Sequence, residues 1–454
     1  MAKSYAQLHG KRVVVMGLGR FGGGIGVTRF LIRHRANVLV TDLAPVAQLR
    51  DSLVALDGLE FKARLGEHCA DDFIGADLIV VNPAVDPRDN KYLQAAHHAG
   101  VPTTTEIGLL VQRLPNRMRT IGVTGTAGKS TTTAMIGHIL RKTLGEDRVH
   151  VGGNIGGSLL ESLDNIHEND WVVLELSSFM LESLNSERWS PHLAVVTNLT
   201  PNHLDRHGTY SAYMQAKRVI LDYQDMEHDV ACLGPDVQKQ GFVTQRHTRH
   251  LVGFNDAIVP DDLTIPLPGR HNQHNAYLAE LAVSEAQIAS CGEARQGLSD
   301  FTGLPHRLQL VAEHAGVRYF NDSKSTTPDA AIRAIESFDR GKVHVIVGGY
   351  DKKSDLSKLV ACVTERCCAV YTVGMTGGAI ADECDAASDG TQVVRCTTVD
   401  RAVRETTTRV HAGEVVLLSP GCASWDQFDN YESRGAAFVE AVLRYPGKGA
   451  PPVH

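Results

Sequence analysis

The chain is poor in positive charge: 45 Lys and Arg stand against 52 Asp and Glu, a formal net charge of -7. No basic face for nucleic acid or an anionic membrane is expected from that balance. Paired cysteine is missing too. Nine cysteines are scattered without a C-x-x-C spacing, and Cys367 and Cys368 are neighbours. This argues against a zinc ribbon or a disulfide framework and for a reducing compartment. Long apolar runs are also absent. The first residues lead into a short strand-like run, Arg12 to Met16, with no charged segment ahead of a long apolar stretch. Neither a signal peptide nor membrane insertion is expected, and the location should be cytoplasmic. There are no repeats or biased linkers. Small molecules are the expected partners and a monomer the expected state.

What is present is a chain of 454 residues, 43% of them hydrophobic, too long for one core and able to fill two or three. Its most informative stretch runs from Arg119 to Gly137, R-T-I-G-V-T-G-T-A-G-K-S-T-T-T-A-M-I-G. A β-favouring run, a glycine-spaced turn from Gly125 to Gly128 and a helical segment opening at Lys129 make a strand, a phosphate loop and a helix. Backbone N–H groups of the turn and the positive end of the helix would cradle polyphosphate oxygens. Lys129 would reach the β- and γ-phosphates, and Ser130 would hold Mg2+. The commoner pattern G-x-x-x-x-G-K-[ST] would put a glycine at Val123; here the glycines are Gly122, Gly125 and Gly128. The bland alternative is a tight turn that only joins strand to helix.

The pattern along the chain predicts an α/β protein of three domains, 1–117, 118–303 and 304–454. The first is Rossmann-like, the second a phosphate-loop domain with a mostly parallel sheet, and the third Rossmann-like again. In the first, a strand from Arg12 to Met16 enters a glycine turn. A helical pattern through Phe30 to His34 follows, a second strand, Asn37 to Thr41, ends in Asp42, and the next apolar run is Leu78 to Val81. Gly17, Gly19 and Gly22 fit G-x-G-x-x-G with the acid about twenty residues on, which reads as a nucleotide site or as helix-to-sheet packing.

In the second domain, the run Trp171 to Leu176 carries Glu175 near its carboxyl end, placed to meet Mg2+ or to pair with an arginine. The strand Leu193 to Thr197 runs into a polar turn that exposes His203 and Asp205. His203 is a metal ligand, a phosphate contact or neither. Lys217 sits within the apolar stripe of an amphipathic helix, Tyr210 to Tyr223. Such a lysine either snorkels out or has a lowered pKa and a chemical task. Asn272 and Asn275 open an Ala- and Leu-rich helix, as caps or as contacts to a base. In the third domain, strands Val317 to Phe320, Val343 to Val347, Ala369 to Val373 and Val415 to Leu418 alternate with helices. Their polar carboxyl-end loops form one crevice.

Stretches spread along the chain in one order resemble the Mur ligases. They are G-T-A-G-K-S-T, G-G-N-I-G from Gly152, L-E-L-S-S-F from Leu174, T-N-L-T-P-N-H-L-D-R from Thr197 and Lys217 in its helix. They continue with L-P-G-R-H-N-Q-H-N, H-R-L-Q-L-V from His306, N-D-S-K-S-T and L-L-S-P-G-C-A-S-W-D-Q-F. The Ser after Gly-Lys and the final A-S-W-D-Q-F favour the D-glutamate-adding branch. The resemblance implies a first domain that binds the UDP-sugar of UDP-N-acetylmuramoyl-L-alanine through Gly19 and Asp42. It implies a second that binds ATP and a third that binds D-glutamate. Gly125, Thr126, Gly128, Lys129, Ser130 and Thr131 would hold phosphates; Ser130 would also hold Mg2+, Glu175 would ligate the first metal, and His203 with Lys217 would serve the second. Asn154 would lie near the reacting carboxylate, and Asn275, Arg307 and Asp322 would position the nucleotide. Lys324, Thr326, Lys352, Ser424 and Tyr431 would line the glutamate pocket, Tyr431 standing where the family usually has Phe.

Two stretches depart from the family: the first-domain turn G-L-G-R-F-G-G-G-I-G is longer and richer in glycine, and N-P-A-V-D at Asn82 replaces S-P-G. The implied chemistry is amide formation in peptidoglycan precursor synthesis. ATP phosphorylates the L-alanine carboxylate and the amine of D-glutamate displaces phosphate. The resemblance also supports a CO2-modified Lys217. The sequence also admits two other readings. A nicotinamide-dependent dehydrogenase explains the first glycine turn and Asp42 but leaves the phosphate loop idle. A noncatalytic nucleotide-binding protein does not explain Lys217 on an apolar face.

Overall fold

The computed structural model describes residues 7–19, 23–83, 85–235, 237–243, 250–253, 259–387 and 390–445. Short β-branched runs, buried on both faces, alternate with amphipathic segments, which is how parallel sheets covered by helices are encoded. The first sheet contains β1 (Arg12–Met16), β2 (Asn37–Asp42), β3 (Lys62–Leu65), β4 (Leu78–Val81) and β5 (Thr103–Thr104) in the parallel order β3-β2-β1-β4-β5. The second contains β6 (Thr120–Thr124), β7 (Val149–Gly153), β8 (Trp171–Glu175), β9 (Leu193–Val196), β10 (Val230–Leu233) and β11 (His250–Gly253). It is parallel throughout, in the order β11-β10-β9-β6-β8-β7. β6 therefore lies where the strand order reverses, and the loop after it opens into the crevice such a reversal leaves.

The chain forms two compact units, one of Met1–Leu263 with His274–Leu298, the other of Thr264–Gln273 with Ser299–His454. The first two sheets share the first unit because one hydrophobic core runs through both, from Val13 and Phe30 through Leu109 and Leu163 to Leu174 and Phe242. Polar ties reinforce it. Glu187, buried after β8, accepts hydrogen bonds from Thr104 Oγ1 at 3.0 Å and Gln112 Nε2 at 3.0 Å. Arg29 pairs with Glu161 at 3.1 Å.

The second unit holds β12 (Gln309–His314), β13 (Val317–Asn321), β14 (Val343–Gly348), β15 (Cys367–Val373), β16 (Gln392–Thr397) and β17 (Val415–Leu418), ordered β12-β13-β17-β14-β15-β16. Its two faces are packed by separate clusters, one around Phe320, Val345 and Leu417, the other around Tyr319, Tyr371 and Phe438. β12 pairs antiparallel with β13. The hairpin turns at Ala315 and Gly316, whose φ angles of 50° and 76° suit a tight two-residue turn. Strands β3, β5, β7, β10, β11, β12 and β16 go beyond the sequence expectation. Of these, β12 and β16 are largely half-exposed edge strands, so they lack the continuous apolar run that marks a central strand. Among the described residues, no helix is long and apolar enough to cross a membrane.

Candidate active site

The turn between β6 and the helix Lys129–Leu144 is shaped by two glycines in the left-handed half of backbone space, Gly125 at φ 144° and Gly128 at φ 81°. A Cβ on Gly125 would collide with Thr197 Oγ1, and one on Gly128 with Asn275 Oδ1. Only glycine lets these groups approach so closely. The turn is pinned from outside. Asn198 accepts from Thr126 N at 2.8 Å through its carbonyl and from Ala127 N at 3.0 Å through its side chain. Thr197 Oγ1 donates to Ala127 O at 2.6 Å. Lys129 Nζ folds over the turn, donating to Gly125 O at 3.0 Å and Thr126 O at 2.9 Å. The expected phosphate residues Gly125, Thr126, Gly128, Lys129, Ser130 and Thr131 thus occupy one turn and the first helical residues. Ser130 is buried there, and so is Asn275 beside it.

An acid and a second lysine stand against the turn. Glu175 ends β8, whose register puts it beside Val123 of β6, and it is 1% exposed. Its Oε1 accepts from Asn154 Nδ2 at 2.9 Å, while Oε2 is buried with no hydrogen-bond partner. An unpartnered buried carboxylate oxygen is costly and marks a place where a further group belongs. Lys217, on the helix Tyr210–Asp222, is 2% exposed rather than reaching to solvent. Its Nζ donates to Thr124 Oγ1 at 3.3 Å and lies 4.9 Å from the centre of the Tyr213 ring. Tyr213, one helical turn earlier, meets Thr126 Oγ1 at 3.1 Å, so one helix face sets both side chains against the phosphate loop. Burial holds the Lys217 ammonium well below the ordinary lysine pKa; the Lys129 charge pushes the same way and Glu175 opposes.

His203 begins the short helix Leu204–His207 at φ 51° and is exposed. Desolvation lowers its pKa, Asp205 opposes this, and the charges of Lys129 and Lys217 add to the lowering. Sequence reasoning missed its neighbour His207, which is buried, faces Ser178 Oγ at 3.0 Å and Glu182 at 3.3 Å, and stacks on Phe179 at 5.5 Å. The spacing H-x-x-x-H was the available signal, since it puts the two rings on neighbouring turns. Phe179 also approaches His203, at 5.4 Å, and lines a cavity of about 620 Å3 with Asn82, Thr104, Glu182, Ser183 and Arg206.

At the first sheet, Asp42 closes on its own loop. One carboxylate oxygen accepts from Leu18 N at 2.9 Å and Gly19 N at 3.1 Å, and the other from Ala44 N at 2.8 Å. Asn82 Nδ2 donates to Gly17 O at 3.2 Å. Gly22 lies outside the described residues.

The remaining predicted residues belong to the second unit. Asp322 is buried, accepting from Ser325 Oγ at 2.5 Å, Ser419 Oγ at 2.8 Å and Leu308 N at 3.2 Å. Burial raises its carboxyl pKa to about 6 against the pull of these donors. Arg307 Nε is buried without a hydrogen-bond partner. Lys324 Nζ lies 5.2 Å above the Tyr431 ring and Lys352 Nζ 4.7 Å above the Trp425 ring. Thr326 and Lys352 line a small pocket with Tyr350, Thr376 and Cys422, and Ser424 is buried two residues further on. A residue that sequence reasoning missed ties these loops together. Arg434, 2% exposed, donates to Ser323 Oγ at 3.0 Å, Ser323 O at 2.9 Å, Cys422 O at 3.0 Å and Ala423 O at 3.1 Å. Its sequence setting, Y-E-S-R-G, reads as an exposed helix start.

A glycine cradle at the switch point of a parallel sheet, backed by a buried acid with an unpartnered oxygen and a buried lysine, defines a protein of the nucleotide-phosphate-binding class. The chain belongs to the Mur ligase family: residues 11–105 match the Mur ligase MurD-like N-terminal domain, 123–252 the Mur ligase middle domain and 306–422 the Mur ligase glutamate ligase domain. It is 38% identical to the UDP-N-acetylmuramoylalanine--D-glutamate ligase of Koribacter versatilis (strain Ellin345), over 96% of this chain and 98% of the relative. To the protein of the same name in Roseiflexus sp. (strain RS-1) it is 39% identical, over 96% and 99%. In fold it is similar to UDP-N-acetylmuramate-alanine ligase MurC from Thermotoga maritima, with a TM-score of 0.58, 20% identity and coverage of 96% of this chain and 99% of that one. MurF ligase from the same organism, solved in complex with ADP, gives a TM-score of 0.56 at 16% identity over 98% and 96%.

Proposed function

We propose that the protein joins D-glutamate to UDP-N-acetylmuramoyl-L-alanine at the expense of ATP, giving ADP and phosphate in peptidoglycan precursor synthesis. The names of its relatives supply the substrates. The observation that carries the chemistry is the unsatisfied Glu175 oxygen beside a buried Lys217 behind the phosphate loop. In this reading residues 1–117 bind the UDP-sugar, 118–303 bind ATP and 304–454 bind the amino acid.

A carboxylate does not react with an amine until one of its oxygens becomes a leaving group. The L-alanine carboxylate oxygen attacks the γ-phosphorus, ADP leaves, and an acyl phosphate results. The amine of D-glutamate then adds to the acyl carbon, loses a proton, and expels phosphate as the amide forms. Lys129, already held over the loop, neutralises developing phosphate charge. Asn154 orients Glu175 on one side and the reacting carboxylate on the other. Lys324, Thr326, Lys352, Ser424 and Tyr431 fix the glutamate, with Arg434 setting the spacing of their loops. No side chain is assigned as base for the amine.

The donors present fit Mg2+: an unpaired buried carboxylate oxygen and a buried serine hydroxyl are hard oxygen ligands. Ser130 and Glu175 would hold a first ion and His203 with Lys217 would serve a second, and when bound they would neutralise phosphate charge. Lys217 contributes an oxygen only as a carbamate. Its neutral amine adds to CO2 and releases a proton, which turns a buried cation into an anion. Burial, by lowering the pKa, supplies that neutral amine. The test is phosphate release with ATP, Mg2+, UDP-N-acetylmuramoyl-L-alanine and D-glutamate, omitting each in turn. Release that needs all of them supports the reading; release indifferent to either acceptor refutes it.

A further inference from the structure

The second unit contains a cluster of metal-ligating side chains that the ligase chemistry does not use. His344 is the second residue of β14, Cys368 the second of β15, and Glu414 immediately precedes β17. In the sheet β17 adjoins β14 and β14 adjoins β15, so three neighbouring strands bring these residues together at their amino-terminal ends. The loops carrying Lys324, Lys352 and Ser424 follow the carboxyl-terminal ends. We propose that His344, Cys368 and Glu414 bind a divalent cation of the zinc class, at the end of the sheet away from the ligase residues.

Four observations support the site. The candidate donor atoms, imidazole nitrogen, thiol sulfur and carboxylate oxygen, all lie within 4.8 Å of one another. His344 Nε2 is 3.0 Å from Glu414 Oε2, the spacing of two groups that share one proton or one cation. A β-bulge contributes the sulfur: Val343 pairs with Cys367 but His344 pairs with Ala369, leaving Cys368 as the extra residue. Bulges re-aim side chains at functional places, and here the Cys368 sulfur reaches back over β14, 3.1 Å from Val343 O. The other ring nitrogen of His344 is held by Tyr371 Oη at 3.0 Å. A ligating histidine needs such a partner, because the bond to Nδ1 fixes the tautomer and turns Nε2 toward the metal.

The donor types decide the class of cation. Mg2+ and Ca2+ take oxygen, whereas a thiolate with an imidazole and a carboxylate suits zinc, with a water in the fourth position. Binding forms an S–metal bond as the thiol proton leaves to solvent; the proton that His344 Nε2 shares with Glu414 passes to Nδ1, which then donates to Tyr371 Oη, and Nε2 and the Glu414 carboxylate both bond the cation. The cation would staple β14, β15 and β17 at an end where His344 is buried and Glu414 and Cys368 are partly open to solvent. It would stabilise the folded chain by mass action.

The test uses the whole chain, stripped with a chelator and titrated with Co2+. The proposal expects about one equivalent to bind in tetrahedral geometry, with strong visible absorption and a near-ultraviolet thiolate-to-cobalt band, both removed by Zn2+. Zn2+ alone should raise the melting temperature. Cys368→Ser should abolish the near-ultraviolet band and the melting shift, and Glu414→Gln should weaken both. Both variants should keep the far-ultraviolet spectrum and Mg2+-supported turnover of the parent. No thiolate band in the parent, or a band that survives Cys368→Ser, would overturn the proposal.

Discussion

Two glycine turns follow a central parallel strand in the first unit, and they differ in what they leave unsatisfied. After β1, the acid that could greet a ligand spends its carboxylate on three N–H groups of its own loop: Leu18, Gly19 and Ala44. After β6, the loop is pinned by Thr197 and Asn198, which follow the neighbouring strand β9. The nearby acid, Glu175, keeps one buried oxygen without a partner. At the first turn the acid is already held by its own loop; at the second a buried carboxylate oxygen is left without a partner. Glycine spacing alone does not separate the two, and the partner of each acid does.

That contrast is most easily broken at Lys129. Replacing it with Ala removes a charge needed when phosphate charge is neutralised and, from the fold, the hydrogen bonds its ammonium donates to Gly125 O and Thr126 O. Turnover should fall by at least about a hundredfold, with the melting curve unchanged. Turnover within about tenfold of the parent would contradict the phosphate-loop role of the second turn.

Lys217→Ala should come next, nearly inactive but partly restored by acetate or another small carboxylate that supplies the missing oxygens. Intact-protein or peptide mass spectrometry, made under CO2, should find Lys217 heavier by a carboxyl group. An unmodified lysine in an active, metal-loaded enzyme would contradict the carbamate.

At the amino-acid end, Lys352→Ala should cost about 1.5 to 3 kcal/mol, read as a raised KM for D-glutamate with kcat less affected. A rise confined to the KM for ATP would misplace that pocket. Asp42→Asn should act differently from all of these. It loses charge-assisted acceptance from the loop and should lower stability by roughly 1 to 2 kcal/mol in denaturant melts, whether or not ATP is present. If it matched Lys129→Ala in turnover while leaving stability alone, the distinction between the turns would fail.

The smallest effect concerns pH. The Asp322 carboxyl has its folded pKa raised from 3.8 to about 6 by burial. Its contribution to stability is therefore full below the unfolded value and lost as pH rises through about 6. Asp322→Asn should flatten the fall in stability across that window, as measured by urea midpoints.

Much of the phosphate-loop region was legible in the sequence because its signals are local. Gly125 to Ser130 follow one another, and Lys217 reveals itself by standing in the stripe of Tyr213 and Ile220. Its burial is what the stripe requires, and the structure resolves the open choice between snorkelling and burial in favour of burial. What was not legible depends on distant partners. Arg434 looks like a charge on an exposed helix start, and only the fold brings it to Ser323 and Cys422. The free oxygen of Glu175 is a property of its surroundings and cannot be read from L-E-L. The sheet edges escaped for a related reason: β12 and β16 are half exposed and lack a continuous apolar run. The hairpin turn at Ala315 and Gly316 is carried by a local signal, two residues at positive φ.

The most direct test of the ligase account follows an atom. With UDP-N-acetylmuramoyl-L-alanine carrying oxygen-18 in the alanine carboxylate, ATP, Mg2+ and D-glutamate, an acyl phosphate must pass one labelled oxygen to the phosphate released. Mass spectrometry should find inorganic phosphate labelled once for every amide formed. Amide formation with unlabelled phosphate would contradict attack of the carboxylate on ATP.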